Sequence, residues 1–199
     1  LLLYTPTTGY TGLDTITYSI TDGRGGISDS TITVTINTPP VANVDVITTN
    51  KDTAIEINVT SNDSDVDGDS LSVSSASATN GTVVIQSDGL LLYTPTTGYT
   101  GLDTITYIIT DGRGGTSSST ITVTVNTPPV ANIDVITTNK DTSVEINVTS
   151  NDTDADGDSL SISSATATNG TVVIQSDGQL HYTPTTGYTG LDTITYIIT

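Results

Sequence analysis

The sequence predicts an all-β protein: tandem β-sandwich domains of about seven strands each, set end to end. Three observations predict it. Thr, Val and Ile, stiff at χ1 and suited to pleated strands, dominate the chain. Apolar and polar residues alternate with period two, as in Ile121, Val123 and Val125 against Thr120, Thr122 and Thr124. Turn signals recur at Asn80-Gly81, Asp88-Gly89, Thr97-Gly98 and Asp111-Gly112, with no helical period of useful length between them.

The chain is a repeat. LLLYTPTTGYTGLDTITY starts at Leu1 and again at Leu90, and QLHYTPTTGYTGLDTITY starts at Gln179, a spacing of 89 each time. Residues 37–110 and 126–199 differ at nine of 74 positions, nearly all conservatively. Asn37-Thr38-Pro39-Pro40 and Asn126-Thr127-Pro128-Pro129 open successive units. Pro-Pro cannot donate to a ladder and favours a stiff, extended connection. Residues 1–36 are then the end of a preceding unit, 37–125 one complete unit, and 126–199 a unit stopping before its last strand. Two readings of that stop stand side by side. The sequence is an excerpt cut in mid-repeat, or residues 22–36 of one chain complete 126–199 of another by strand donation.

Within the complete unit the strands are expected at 43–48, 53–59, 70–76, 82–86, 90–94, 103–110 and 117–125. Ile55, Ile57 and Val59 alternate with Glu56 and Asn58, and Leu71 and Val73 with Ser70, Ser72 and Ser74. Each run therefore presents one face to a core. About seven short strands in a unit of this length suit an Ig-like sandwich. Asp103-Thr-Ile-Thr-Tyr107-Ile-Ile109 has the form of a tyrosine corner on strand F, with Ile109 where such domains carry a cysteine. The alternative is an ordinary half-buried tyrosine.

Composition narrows function. Net charge is -18, from 22 acidic and four basic residues. That argues against nucleic acid or an anionic membrane surface, both of which need basic patches. There is no Cys, hence no disulfide or thiol chemistry. No apolar run approaches the roughly 18 residues of a membrane span. The single histidine, His181, has Leu92 as its counterpart and so marks a packing or surface position. No nucleophile–base–acid set is visible, and near-duplicate units extend length without adding chemistry, so no enzymatic activity is expected.

The acidic loop Asn62 to Ser70, NDSDVDGDS, returns as NDTDADGDS at Asn151 to Ser159. Asp63, Asp65, Asp67 and Asp69 stand at alternate positions. Alternate residues of a tight loop can aim carboxylates at one point, and Gly68 permits the bend. Hard oxygen ligands in that pattern suit Ca²⁺, which takes 6–8 oxygens at about 2.3–2.6 Å. Asp63-x-Asp65-x-Asp67-Gly68 opens like an EF-hand loop, but its twelfth position is Ser74 and no helices flank it. The expected ligands are Asn62, Asp63, Asp65, Asp67 and Asp69, then Asn151, Asp152, Asp154, Asp156 and Asp158. The alternative is a solvated acidic loop.

PPVANVD, TNKDTAIEINV, NDSDVDGDSLSV, NGTVVIQSDG, YTPTTGYTGLDTITY and TDGRGG, in that order, resemble the tandem bacterial cadherin-like, Ig-like repeats of very large surface adhesins, including the RTX type. The resemblance covers the whole chain. It implies calcium-binding β-sandwiches in long extracellular arrays. It also implies a linker-proximal calcium site drawing on Asp111, Asn126 and Asp134, and one unit earlier on Asp22, Asn37 and Asp45. A plain glycine-rich turn at Asp111–Gly115 is the other reading. Val44 and Ile133 depart from the paired Asp-Asp that such repeats often carry. The implied function is a calcium-rigidified extender of an extracellular adhesin or surface fibre, mediating cell adhesion by holding a distal binding region away from the cell. The alternative is a self-assembling extracellular filament subunit. The implied partners are neighbouring repeats in the chain and, for the filament, other copies of itself, with no membrane insertion in this segment.

Overall fold

The computed structural model describes residues 1–199 throughout. It contains fourteen strands and two single-turn 3₁₀ helices. Its contacts divide it into two compact units, Leu1–Thr124 and Val125–Thr199, each described by itself.

The first unit opens on a hairpin of β1 (Gly12–Thr21) and β2 (Ile27–Ile36), paired from Gly12↔Ile36 to Thr21↔Ile27. The two strands form a sheet of their own. One layer cannot cover both faces, so Ile20 and Ile32 are exposed where their counterparts Ile109 and Ile121 in the following repeat are buried.

The repeat that follows is a two-layer sandwich. Its strands are β3 (Asp45–Asn50), β4 (Ile55–Ile57), β5 (Ser72–Ala78), β6 (Gly81–Ile85), β7 (Leu91–Pro95), β8 (Gly101–Thr110) and β9 (Thr116–Asn126). One sheet runs β3-β9-β8-β5 and the other β4-β7-β6. The first strand thus lies beside the last, and the linker that leads into β3 is brought next to the β8–β9 hairpin. The alternation predicted from sequence resolves as the core. Ile57, Val59, Leu91, Tyr93, Ile105, Tyr107, Ile109, Ile121, Val123 and Val125 are all buried. The second expected strand is shorter than its pattern: after Ile57 the chain makes a 3₁₀ turn over Val59–Ser61. That turn sinks Val59 and aims the chain into the acidic loop.

The second unit repeats the plan in part. It has β10 (Val144–Ile146), a 3₁₀ turn (Val148–Ser150), β11 (Ile162–Ala167), β12 (Gly170–Ile174), β13 (Leu180–Pro184) and β14 (Ile194–Ile198). Ile146, Val148, Leu180 and Tyr182 form its core. Residues 134–139, the counterpart of β3, form no strand here. In the complete repeat β3 draws its ladder from β9, which has no counterpart within 126–199. Ile136 is correspondingly 51% exposed, whereas its counterpart Ile47 in β3 is half-buried.

Tyr107 does not make the expected corner. A tyrosine corner bonds to backbone a few residues upstream, whereas the Tyr107 hydroxyl donates to the Asn43 carbonyl at 2.6 Å, 64 residues earlier. Tyr196 does the same to Asn132 at 3.0 Å. The side chain points across to the segment entering β3, so it pins that segment rather than its own turn. Ile109 is fully buried.

Candidate metal centre

The acidic loop is shaped by its second carboxylate, Asp65. Asp65 Oδ1 accepts the backbone N–H of Asp67 at 2.8 Å and of Asp69 at 3.3 Å. Gly68 sits at φ +76, a left-handed conformation that glycine adopts without strain. An antiparallel bridge, Val41↔Ser64, holds the start of the loop to the chain that follows the Pro-Pro linker.

Three of the four alternating aspartates converge. Ligand oxygens of Asp65, Asp67 and Asp69 all lie within 4.8 Å of one another. Asp67 Oδ2 accepts the Thr38 N–H at 2.6 Å, which attaches the linker to the loop. Asp69 Oδ1 pairs with Arg113 Nε at 2.9 Å, and the Asp69 side chain is only 10% exposed. Asp65 Oδ2, Asp69 Oδ2, Asn37 Oδ1 and Thr38 Oγ1 are buried without a hydrogen-bond partner. Buried carboxylate oxygens without partners are costly. A hard cation taking several oxygens would satisfy them, so the donor set fits Ca²⁺.

Asp63 does not join them. Its Oδ1 accepts the Asn43 N–H at 2.7 Å, and the Tyr107 hydroxyl lies 3.3 Å away. Asp45 Oδ2 lies 3.2 Å from the same hydroxyl. Burial raises the Asp45 pKa; the Tyr107 hydrogen bond opposes the shift and the Asp63 charge adds to it. Burial also drives the Tyr107 pKa upward. Asp63 and Asp45 therefore belong to the pin at the start of β3, because a backbone donor from Asn43 claims Asp63 first. The Asn62 amide is likewise engaged, donating to the Val44 carbonyl at 3.1 Å.

The residues expected at the linker separate too. Asp111 is 5% exposed. Its Oδ1 accepts the N–H groups of Arg113 at 2.8 Å and Gly115 at 2.9 Å, and its Oδ2 accepts Asn37 Nδ2 at 2.5 Å. The Asn37 hydrogen bond is the main influence holding its pKa low; burial opposes this and the hairpin amides reinforce it. Asp111 thus takes Asn37, the residue that opens its own repeat, where Asn126 of the following linker was expected. The topology explains this: β9 returns the chain beside β3, so the β8–β9 hairpin ends next to the linker that precedes β3. Asp22 caps the equivalent hairpin in β1–β2, accepting Arg24 N–H at 2.7 Å and Gly26 N–H at 3.0 Å.

In the second unit Asp156 Oδ2 accepts the Thr127 N–H at 2.5 Å. Asp154 Oδ1 accepts the N–H groups of Asp156 and Asp158 at 2.8 and 3.2 Å. Asp152 takes the Asn132 N–H at 2.7 Å, Asp134 lies 3.0 Å from the Tyr196 hydroxyl, and Asn151 donates to the Ile133 carbonyl at 3.1 Å. Asp158 is exposed, and the three carboxylates do not gather as their counterparts do. Asn126 opens this unit's linker, one residue before Thr127.

Sequence reasoning missed Thr38 and Arg113. Thr38 acts through its backbone, which carries no residue signature. Arg113 had a signal: TDGRGG places one of only four basic residues in a hairpin turn, twice. It also missed Asp103, which is buried and accepts the Tyr93 hydroxyl at 2.7 Å and the Asn80 N–H at 2.9 Å.

The sandwich and its repetition define a class, and comparison with known proteins places the chain within it. The model of the bacterial Ig domain family matches residues 1–35, 37–124 and 126–199. The chain therefore belongs to that family and consists of its repeats in tandem. A search of the curated proteins finds no match. Among solved structures the chain is similar to the endo-fucoidan hydrolase MfFcnA4 of glycoside hydrolase family 107, at 17% identity and a TM-score of 0.34. That match covers 98% of this chain and 34% of the other, so the chain spans about a third of that relative. It is also similar to titin domains I67–I69, at 12% identity and a TM-score of 0.34, covering 92% of this chain and 67% of the other. Domains 4–9 of the surface layer protein SbsC align at 17% identity and a TM-score of 0.32, over 92% of this chain and 33% of theirs. The family match alone carries the assignment. No helix is long and apolar enough to cross a membrane.

Proposed function

We propose that the chain is an extender segment of an extracellular adhesin or surface fibre, stiffened by calcium, whose repeats hold a distal binding region away from the cell. One observation carries the reading. Asp65, Asp67 and Asp69 converge with two carboxylate oxygens buried and unpartnered, and the same cluster grips the linker through the Thr38 N–H. The complete repeat carries ten acids and two bases. A divalent cation in the loop offsets the repulsion among them and ties the linker to the sandwich. Extracellular modules of this kind bind calcium with Kd of about 10⁻⁴–10⁻³ M. The sites therefore fill outside the cell and stay empty in the low-calcium cytosol.

The test is calorimetric melting of the whole chain in millimolar calcium and in EDTA, beside the double variant Asp65→Asn, Asp67→Asn. At ten times Kd, occupancy of one site adds about 1.4 kcal/mol. For a domain of this size that is a Tm rise of roughly 5 °C or more. The rise is expected in the wild-type chain and reduced in the variant. Superimposable melts in calcium and EDTA would sink the reading and leave the sandwich intact.

A further inference from the structure

We propose that Arg113 is a built-in counterion of the metal loop: it holds the three carboxylates together when no cation is bound, and by competing for them it sets how much calcium the site requires. This rests on the calcium reading above and concerns the regulation of the same site.

The two copies of the loop supply the comparison. In residues 37–124 the β8–β9 hairpin delivers Arg113 Nε to Asp69 Oδ1 at 2.9 Å. There Asp69 is turned inward, its other oxygen is buried and unpartnered, and it lies within 4.8 Å of Asp65 and Asp67. In residues 126–199 no counterpart of that hairpin is present. The loop keeps its Asp154-centred turn and its grip on Thr127. Asp158 nevertheless stands exposed and the carboxylates do not gather. The backbone of the loop thus keeps its form without the hairpin, while its last carboxylate is turned inward only in the copy where Arg113 pairs with it.

The hairpin is built to hold that arginine in place. Asp111 accepts the N–H groups of Arg113 and Gly115 on one oxygen and Asn37 on the other. The turn, the linker and the loop therefore meet around Arg113, whose own side chain is half exposed. Arg113 uses only one oxygen of Asp69, so the other remains free for a ligand. A guanidinium and a divalent ion sharing one carboxylate repel each other. At a separation of about 6 Å in a water-like dielectric, that repulsion weakens calcium binding about ten-fold. The same charge, with the ion absent, offsets the mutual repulsion of Asp65, Asp67 and Asp69. Arg113 is therefore a positioning residue whose effect has opposite signs in the two states: it stabilises the empty site and weakens the filled one.

The experiment is a calorimetric calcium titration of the whole chain carrying Asp154→Asn and Asp156→Asn, which removes the second loop from the signal. Arg113→Gln and Arg113→Lys are compared in that background, each also melted in EDTA. Arg113→Gln is expected to bind calcium about ten-fold more tightly while melting lower in EDTA. Arg113→Lys, which keeps the charge, is expected to stay near the parent in affinity. A purely structural role would lower the EDTA melt and leave or weaken the affinity, and that result overturns the proposal. Equal affinities in all three proteins overturn it while calcium binding itself stands. A parent that takes up no calcium fails at the earlier step, overturning the metal reading and this proposal with it.

Discussion

At the scale of single residues, buried carboxylates are the most consequential feature of the chain. Asp103 is 1% exposed, and its oxygens accept the Tyr93 hydroxyl and the backbone N–H groups of Asn80 and Thr104. Tyr93→Phe removes one donor and leaves the oxygen in a dry site, at a cost of about 1–3 kcal/mol. Urea unfolding should show this as a lower midpoint with an unchanged slope. Gly115 is needed for a different reason: a Cβ there would lie 2.1 Å from Asp111 Oδ2 and 2.8 Å from the Pro39 Cα. Gly115→Ala must displace either the carboxylate or the linker backbone. A loss of about 1–3 kcal/mol is expected by the same measurement. Asp111 also predicts a pH dependence. Its folded pKa lies below the unfolded value, with the Asn37 hydrogen bond as the largest cause. Its stabilising contribution is therefore present above the unfolded pKa, near 3.9, and is lost as pH falls through the lower folded value. Acid titration of stability in EDTA should show this fall, and Asp111→Asn should flatten it. An unchanged slope in that variant would refute the assignment.

At the scale of elements, period-two alternation was legible because one face of each strand is buried, and side-chain period then reports the face directly. The run around Ile55 shows where that reasoning stops. Ile55, Ile57 and Val59 alternate as a strand would, yet Val59 is buried from a 3₁₀ turn. A turn that carries one apolar residue to the core satisfies the same pattern. The residues after Pro129 show the converse. Residues 134–139 repeat β3 letter for letter but form no strand, because an edge strand needs its neighbour's ladder. Extending the chain past Thr199 with a copy of residues 111–126 should supply that neighbour. The expected result is ordering of 134–139, seen as slowed amide exchange, and a higher Tm for the second unit. Unchanged exchange at Val135 and Ile136 would refute this account of the missing strand.

At the scale of the whole molecule, the predicted consequence is mechanical. If calcium ties the linker to the loop through Thr38, chelation should loosen the connection as well as lower Tm. Small-angle scattering of the chain in calcium and in EDTA should show a broader distribution of dimensions without the ion. Identical profiles would mean that loop and linker are uncoupled. The all-β class, the 89-residue period, the core positions and the acidic loop follow from the sequence alone, because repetition, alternation and carboxylate spacing are local properties of the chain. Which carboxylates meet was decided only by tertiary structure. Asp63 stands in line with Asp65, Asp67 and Asp69 yet belongs to Tyr107 and Asn43. Asp111 takes Asn37 rather than Asn126, and Asp69 pairs with an arginine 44 residues away. The physical reason is the same in each case. A carboxylate goes to the nearest unsatisfied donor or cation, and strand order, with β3 beside β9, determines which donors are near.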